Sequence, residues 1–511
     1  MYRNPVIPGF YPDPSVCRVG EDYYLVTSSF EYFPGVPVFH SKDLVNWRQI
    51  GYCLTRESQL PLDNVPPSGG IWAPTIRYHN GRFYMTTTLV RQNEPVRNFI
   101  VTAEDPAGSW SDPIIIDQGG IDASLFFDDD GSVYYTTNHG FPEYPHGVIS
   151  MSIIDIETGR RLTDIKPIWP GTGGIAPEGP HLYKIYGTYY LMIAEGGTHY
   201  GHMETIARSK SPWGPWEPCP HNPILTHRDD HMTAIQCTGH ADLVQAHDGS
   251  WWLVHLGVRP AFYQKQYLGR ETYLTPVTWD SNGWPVVNSG TKMTFLEMDV
   301  PTLPLCPWEK EPARDDFDSP RLRLYWNYLR NPHMADYSLT ERPGWLRLRG
   351  SECTLDDWGS PTFLGRRQQH HAMRASTLLD FDPRHEGEEA GLVTIMNSDH
   401  HYEIVVVREV GKRNVIVRRR IGDMKVIVAR AALTNGPVIL EIVGEKEQYT
   451  FGFRYPDSSF LPLATASTRY LCAEVADTFT GVYIGLYATG NGRASTIPAD
   501  FDWFEYKGID Q

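Results

Sequence analysis

Five times in its first 260 residues the chain repeats one short pattern: a turn, a pair of aromatic or apolar residues, then a strand-like run. The copies read GEDYYLVTS, NGRFYMTTT, DGSVYYTTN, YGTYYLMIA and DGSWWLVHL. Aligning Tyr24, Tyr84, Tyr134, Tyr190 and Trp252 gives separations of 60, 50, 56 and 62 residues. A unit of that length holds several short strands, and self-similarity at such a period marks repeat folds whose units bury their apolar faces only against each other. Runs bounded by Gly, Pro, Asn and Asp dominate, and amphipathic helical spacing is scarce. The expectation is an all-β chain whose residues 1–305 form a five-bladed β-propeller, one copy per blade. WD and kelch signatures are absent.

A second regularity lies upstream of each turn. The segments DPSVCRV, APTIRYH, DASLFFD, EGPHLYK and HADLVQA begin 11 or 12 residues before the aligned aromatic. Their leading residues are Asp13, Ala73, Asp122, Glu178 and His240. In a propeller the innermost strands of all blades surround one central channel, so equivalent positions converge at one height. One repeat position then carries three carboxyl groups and an imidazole. Pro12 and Pro14 bracket Asp13, and Pro177 and Pro180 flank Glu178; proline fixes φ and pushes the preceding residue to extended geometry, which stiffens both sites. Such a channel could simply bind a cation. It also matches the needs of glycosidic hydrolysis, where one carboxylic acid protonates the leaving oxygen and another carboxylate acts on the far face of the anomeric carbon. A third carboxylate nearby would keep the acid protonated by like-charge repulsion.

With these residues goes a set of motifs running in order over about residues 4–280: NPVIPGFYPDPSV, GGIWAPTI, GGIDASLFFDDDG, APEGPHLYK, GGTHYGHMETIARSKSPWGPWE, TGHADLV and LGRETYLTPVTW. Together they resemble glycoside hydrolase family 43, in its β-xylosidase branch with an added C-terminal β-sandwich. The resemblance implies an inverting exo-hydrolase with Asp13 as general base, Glu178 as general acid and Asp122 as modulator and orienter. It implies that Arg270 binds sugar hydroxyls and holds the carboxylates. It further implies that His240 lies under the site, where a hydrated calcium or sodium ion would contact it through water; the chemistry itself would need no cofactor. Trp72 and Phe30 are candidate walls of the sugar pocket.

The remaining chain reads as a second domain. VPTLPLCPWEKEPARDDFDSP is rich in proline and charge and reads as a link near residues 300–320. Beyond it, short alternating strands such as HYEIVVVREV, VILEIVG and TGVYIGLYA suggest a jelly-roll β-sandwich over residues 306–511. By resemblance the sandwich packs on the propeller, completes the pocket and lends one aromatic to its rim. Phe501, in ADFDWFEY, is the candidate; a plain core role is the alternative.

Composition excludes several function classes. Lys and Arg number 45 against 61 Asp and Glu, a net charge of −16, which argues against nucleic acid and anionic membranes as partners. The 15 Trp, 29 Tyr and 20 Phe suit β-structure and stacking on sugar rings alike. Seven scattered cysteines without a CxxC pair read as reduced thiols. GTGGIAPEG is glycine-rich but lacks the Lys-Ser/Thr ending of a phosphate loop, and neither GxSxG nor HExxH occurs. The opening residues lack the apolar core of a signal peptide, so a cytoplasmic location is expected. The leading functional expectation is release of xylose from non-reducing ends of β-1,4-xylo-oligosaccharides. The alternatives are α-L-arabinofuranosidase or dual activity on arabinoxylan-derived oligosaccharides, and, from another class, a sugar-binding propeller without catalysis. Assembly into a homo-oligomer is left open.

Overall fold

The computed structural model describes residues 1–509. The first part of the chain forms five consecutive antiparallel sheets, each laid down strand by strand from the centre outward. Their innermost strands are Ser15–Val19, Gly70–His79, Ile121–Phe127, Glu178–Ile185 and Gln236–Gln245. These touch one another in order, and the fifth touches the first, closing a ring around a central axis. This is a five-bladed propeller. Within each blade the repeated turn joins the innermost strand to the second, as in Asp22–Val26 and Arg82–Val90. Gly20, Gly81, Gly131, Gly187 and Gly249 occupy these turns with φ between 62° and 89°. Only glycine adopts that region freely, which is why the turn recurs with glycine in every copy.

Blades stack face to face, so both faces of the second strand are buried. That explains why FYMTTT shows no polar face. Thr86 and Thr88 are fully buried with their hydroxyls satisfied by the Phe99 carbonyl (3.1 Å) and Asn98 Oδ1 (2.7 Å). Between blades 1 and 2 the apolar filling includes Val26, Val38, Ile76, Phe83, Met85 and Val101. Each such side chain contributes about 1.5–3 kcal/mol by leaving water. The N-terminal segment secures the closure: Asn4 Nδ2 donates to the Leu274 carbonyl (3.0 Å), and the Tyr11 N–H to the Arg270 carbonyl (3.1 Å).

The second domain is a two-sheet sandwich. One sheet orders its strands Thr362–Arg367, Tyr483–Thr489, Glu389–Asn397, His400–Glu409, Lys412–Ile421 and Met424–Ala432. The other includes Leu346–Arg349, Pro498–Gly508, Met373–Asp380 and Val438–Gly444. Their facing sides form one core that includes Leu364, Leu392, Ile404, Leu440, Leu486 and Phe501. The outer face of the first sheet lies on the propeller, where Phe363, Val393, Ile395, Tyr483 and Tyr487 cluster with Phe10, Phe30 and Tyr32. Tyr32 stacks on Tyr483 at 3.8 Å between ring centres. Buried Arg367 bridges the same seam through the Phe10 carbonyl (2.6 Å). The proline-rich link is not a free tether. Trp308 packs under the Arg48 guanidinium (3.9 Å), and the Cys306 N–H donates to Asp43 (2.7 Å), so this segment wraps the first blade. All seven cysteines are free thiols.

Candidate active site

The mouth-side end of each innermost strand carries a residue with a left-handed backbone. Asp13 (φ 55°), Ala73 (35°), Asp122 (56°), Gly179 (57°) and His240 (51°) are the five. Each lies four residues before the partner of the aligned aromatic, since Cys17, Arg77, Phe126, Tyr183 and Val244 pair with Tyr24, Tyr84, Tyr134, Tyr190 and Trp252. Register shifts mark bulges at this point in blades 2 to 5. Bulges re-aim side chains at strand ends. This corrects the sequence alignment at one blade: the equivalent of Asp13 is Gly179, and Glu178 lies one position earlier. Its true counterparts are Trp72 and Ile121, so the pocket has two tiers. Asp13, Ala73, Asp122 and His240 form a buried inner tier, and Trp72, Ile121 and Glu178 an outer one.

Asp13 is gripped from three sides. Arg270 Nη1 donates to its Oδ1 (2.7 Å), Ser28 Oγ to its Oδ2 (2.5 Å), and His240 Nδ1 lies 3.9 Å from Oδ1. Burial alone would push Asp13 up, but the Arg270 charge, the His240 ring and the Ser28 hydroxyl hold its carboxyl below the ordinary value. Asp122 Oδ2 accepts the Gly179 N–H (3.0 Å), fixing the chain beside the acidic residue. Burial and the Asp13 charge raise Asp122. Glu178 is raised well above the ordinary value by loss of water around it, then by the charges of Asp122 and Asp13. One pocket therefore holds one carboxyl biased toward its ionised form and another biased toward its protonated form.

The walls are aromatic. Phe30, Trp72 and Phe479 surround the entrance, with ring centres 6.2 Å (Phe30–Trp72), 5.9 Å (Trp72–Phe479) and 6.4 Å (Phe30–Phe479) apart. The Arg270 guanidinium lies over Phe30 at 5.6 Å and Phe479 at 5.8 Å. Phe479 belongs to the sandwich, in the loop between the short helix Ala473–Ala476 and strand Tyr483–Thr489. Ser68 of the propeller fixes that loop: its Oγ meets Thr478 Oγ1 (2.7 Å) and accepts the Phe479 N–H (2.9 Å), while its carbonyl accepts the Trp72 indole N–H (2.8 Å). The inner pocket opens past Trp72, Thr198, Arg270 and Phe479 into a cavity of about 620 Å³ between propeller and sandwich.

The structure brings Asp13, Asp122, Glu178, Trp72, Phe30, Arg270 and His240 together around this pocket. Phe501 is elsewhere. It is 0% exposed in the sandwich core and pairs with Leu346 and Leu379 in the sheet remote from the propeller. The rim aromatic is Phe479; a strand motif drew attention to Phe501, whereas the true signal was an aromatic in a Thr/Asp/Gly loop, ADTFTG. Sequence reasoning also missed the layer under the pocket. There Asp242 accepts from Arg77 Nη1 (2.8 Å), Ser15 Oγ (2.7 Å) and Tyr183 OH (2.7 Å), joining the inner strands of four blades. No group of three or more His, Cys, Asp or Glu side chains that could hold a metal ion occurs among the described residues. The surroundings of His240 thus do not fit a directly ligated ion.

A five-bladed propeller with carboxyls of opposed bias, one toward the ionised and one toward the protonated form, in one aromatic-walled pocket defines a glycoside hydrolase. Residues 2–285 match the glycosyl hydrolases family 43, and residues 314–507 match the beta xylosidase C-terminal concanavalin A-like domain. The chain belongs to family 43, whose enzymes are inverting, exo-acting glycosidases that need no cofactor for catalysis. It is 46% identical over 513 residues to the non-reducing end alpha-L-arabinofuranosidase of Bacteroides ovatus, covering 100% of this chain and 95% of that one. It is 41% identical to a xylosidase/arabinosidase of Butyrivibrio fibrisolvens, covering 99% of both. A solved xylan beta-1,4-xylosidase from Bacillus halodurans superposes with a TM-score of 0.95 at 37% identity, over 99% of this chain and 100% of that one.

Proposed function

We propose that the chain removes single xylose units from the non-reducing ends of β-1,4-xylo-oligosaccharides. In this reading Asp13 is the general base, Glu178 the general acid and Asp122 the group that orients and tunes the acid. The observation that carries it is the opposed electrostatics of Asp13, clamped by Arg270 and Ser28, and Glu178, raised by burial and then by its acidic neighbours. The terminal sugar sits in the inner pocket against Phe30 and Trp72, with Arg270 on its hydroxyls, and the rest of the chain extends into the outer cavity. Water attacks the anomeric carbon and gives its proton to Asp13. The glycosidic C–O bond breaks as Glu178 transfers its proton to the departing oxygen. Attack from the face opposite the leaving group inverts the anomeric centre. Proton exchange with solvent then resets both carboxyls.

A second reading, α-L-arabinofuranosidase or dual activity, is favoured by the names of the 46% and 41% identical relatives. Paired aryl β-xyloside and aryl α-L-arabinofuranoside substrates, followed by proton NMR early in turnover, test both. Larger kcat/KM on the xyloside with α-xylose as first product is expected. A larger value on the arabinofuranoside transfers the assignment to the second reading, and β-xylose as first product refutes the roles of Asp13 and its water. A hydrated calcium or sodium ion touching His240 only through water stays part of the proposal, with no chemical step assigned to it.

A further inference from the structure

The glycine-rich segment GTGGIAPEG, which lacks the Lys-Ser/Thr ending of a phosphate loop, leads directly into Glu178. Four of the eight residues of its loop, 170–177, are exposed, Ile175 to 57%. One buried side chain reaches into it. Glu195, 0% exposed, ends the strand Thr188–Glu195 that pairs with the innermost strand of blade 4. Its Oε1 accepts the Thr172 N–H (2.8 Å) and Thr205 Oγ1 (2.7 Å), its Oε2 accepts the Gly174 N–H (2.8 Å), and Thr172 Oγ1 lies 3.1 and 3.2 Å from the two oxygens. The loop wraps the carboxylate so closely that a Cβ on Gly171 would lie 2.6 Å from Glu195 Cδ, and one on Gly174 2.8 Å from Oε2. A side chain at Gly171 or Gly174 would therefore collide with Glu195. A second tie follows, from the Gly196 N–H to the Ile175 carbonyl (2.8 Å).

Both ends of this clamp carry site groups. Glu178 lies across the ladder from Ala194, the residue before Glu195. On the other side the chain runs through Gly196 and Gly197 to Thr198, whose hydroxyl accepts from Arg270 Nη1 (3.2 Å). We infer that Glu195 is a positioning residue for the general acid: by pinning the glycine-rich loop it fixes the height and direction from which the Glu178 carboxyl meets the leaving oxygen. Hydrogen bonds from several backbone and hydroxyl donors to one buried carboxylate are among the stronger neutral-to-charged contacts, and losing part of the set frees the loop. The inference rests on the reading of Glu178 as the acid.

A misplaced acid has a signature that general destabilisation lacks. A glycoside whose leaving group is a strongly acidic phenol departs almost unaided, whereas a sugar or alkyl leaving group needs the proton. The full chain is used, with kcat/KM measured on a dinitrophenyl glycoside and on an unactivated glycoside of the same sugar. Glu195→Gln puts an NH2 group against a backbone N–H, and should depress the unactivated substrate at least tenfold more than the activated one. Gly174→Ala, on the same loop and without a positive φ, should show the same bias by pushing the loop off the carboxylate, and it decides the matter if Glu195→Gln does not fold. Equal losses on both substrates, or none, in the folded variants overturn the inference. Glu178→Ala is measured alongside. Absence of bias there means the acid is misassigned; bias there, with none in the clamp variants, refutes the clamp alone.

Discussion

Replacing Arg270 with Met should move the acidic limb of the pH–rate profile toward neutrality. Arg270 Nη1 touches Asp13 Oδ1 at 2.7 Å, and both groups are buried. With charge centres about 4 Å apart and an effective dielectric of about 20, the attraction is about 4 kcal/mol. At 1.36 kcal/mol per pH unit that is an upper bound of about 3 units, in line with the roughly 1–3 units an adjacent arginine usually supplies. The sign follows from the competing influences on Asp13. Burial raises it, and the Arg270 charge is the largest effect opposing that. Without the guanidinium, burial prevails and Asp13 takes up a proton at higher pH. The base must be ionised to activate water, so kcat/KM falls on the acid side by roughly 1–3 pH units earlier than in the parent enzyme. Stability obeys the same linkage. A carboxylate with a depressed folded-state pKa stabilises the fold above its unfolded value, and that stabilisation is lost as pH falls through the folded value. Arg270→Met removes this contribution, so its thermal midpoint at neutral pH should fall. Loss of sugar contacts lowers the height of the profile but not the position of its limb. An acidic limb that stays in place in Arg270→Met would show that Asp13 is not the titrating base.

Three further outcomes follow from the same geometry. Asp122→Asn removes a negative charge beside Glu178, so the basic limb of the kcat/KM profile should shift to lower pH; an unmoved limb would count against Asp122 as the tuning group. Phe479→Ala should lower kcat/KM at least tenfold with little change in thermal midpoint, because the ring is 37% exposed on the pocket rim, whereas core Phe501→Ala should cost about 3–5 kcal/mol of stability and leave turnover per folded molecule intact. Ser68→Ala cuts the hydroxyl contacts from the propeller to the Thr478–Phe479 loop, so KM should rise more than kcat falls; unchanged kinetics would mean the loop is held by other contacts.

At Glu178 sequence and structure part company by a single residue. The repeat made the propeller legible because every blade reuses a glycine turn and an aromatic pair, and these are local features that a sequence displays directly. The convergence of Asp13, Asp122 and His240 on the axis was legible for the same reason. Glu178 was grouped with them because EGPHLYK begins with an acid, yet it stands five residues before Tyr183, the strand partner of its aromatic, where Asp13, Ala73, Asp122 and His240 stand four before theirs. That extra residue is the physical basis for its different role. Successive residues of a strand point to different sides, and the bulge gives the left-handed position to Gly179 instead. Glu178 thereby leaves the buried tier, beside Asp13, for the outer tier, beside Trp72, where the proposed mechanism needs its acid. Phe479 stayed hidden for another reason. Its function depends on a loop of one domain reaching across to Ser68 of the other, 411 positions away, and no local pattern encodes that contact. An inverting pair of carboxyls must differ in height and in charge, and the five-fold repeat supplies a ring in which all members are alike. One displaced residue, with a glycine to accept the strained backbone it leaves behind, breaks that equivalence and, in the proposed mechanism, sets the acid apart from the base.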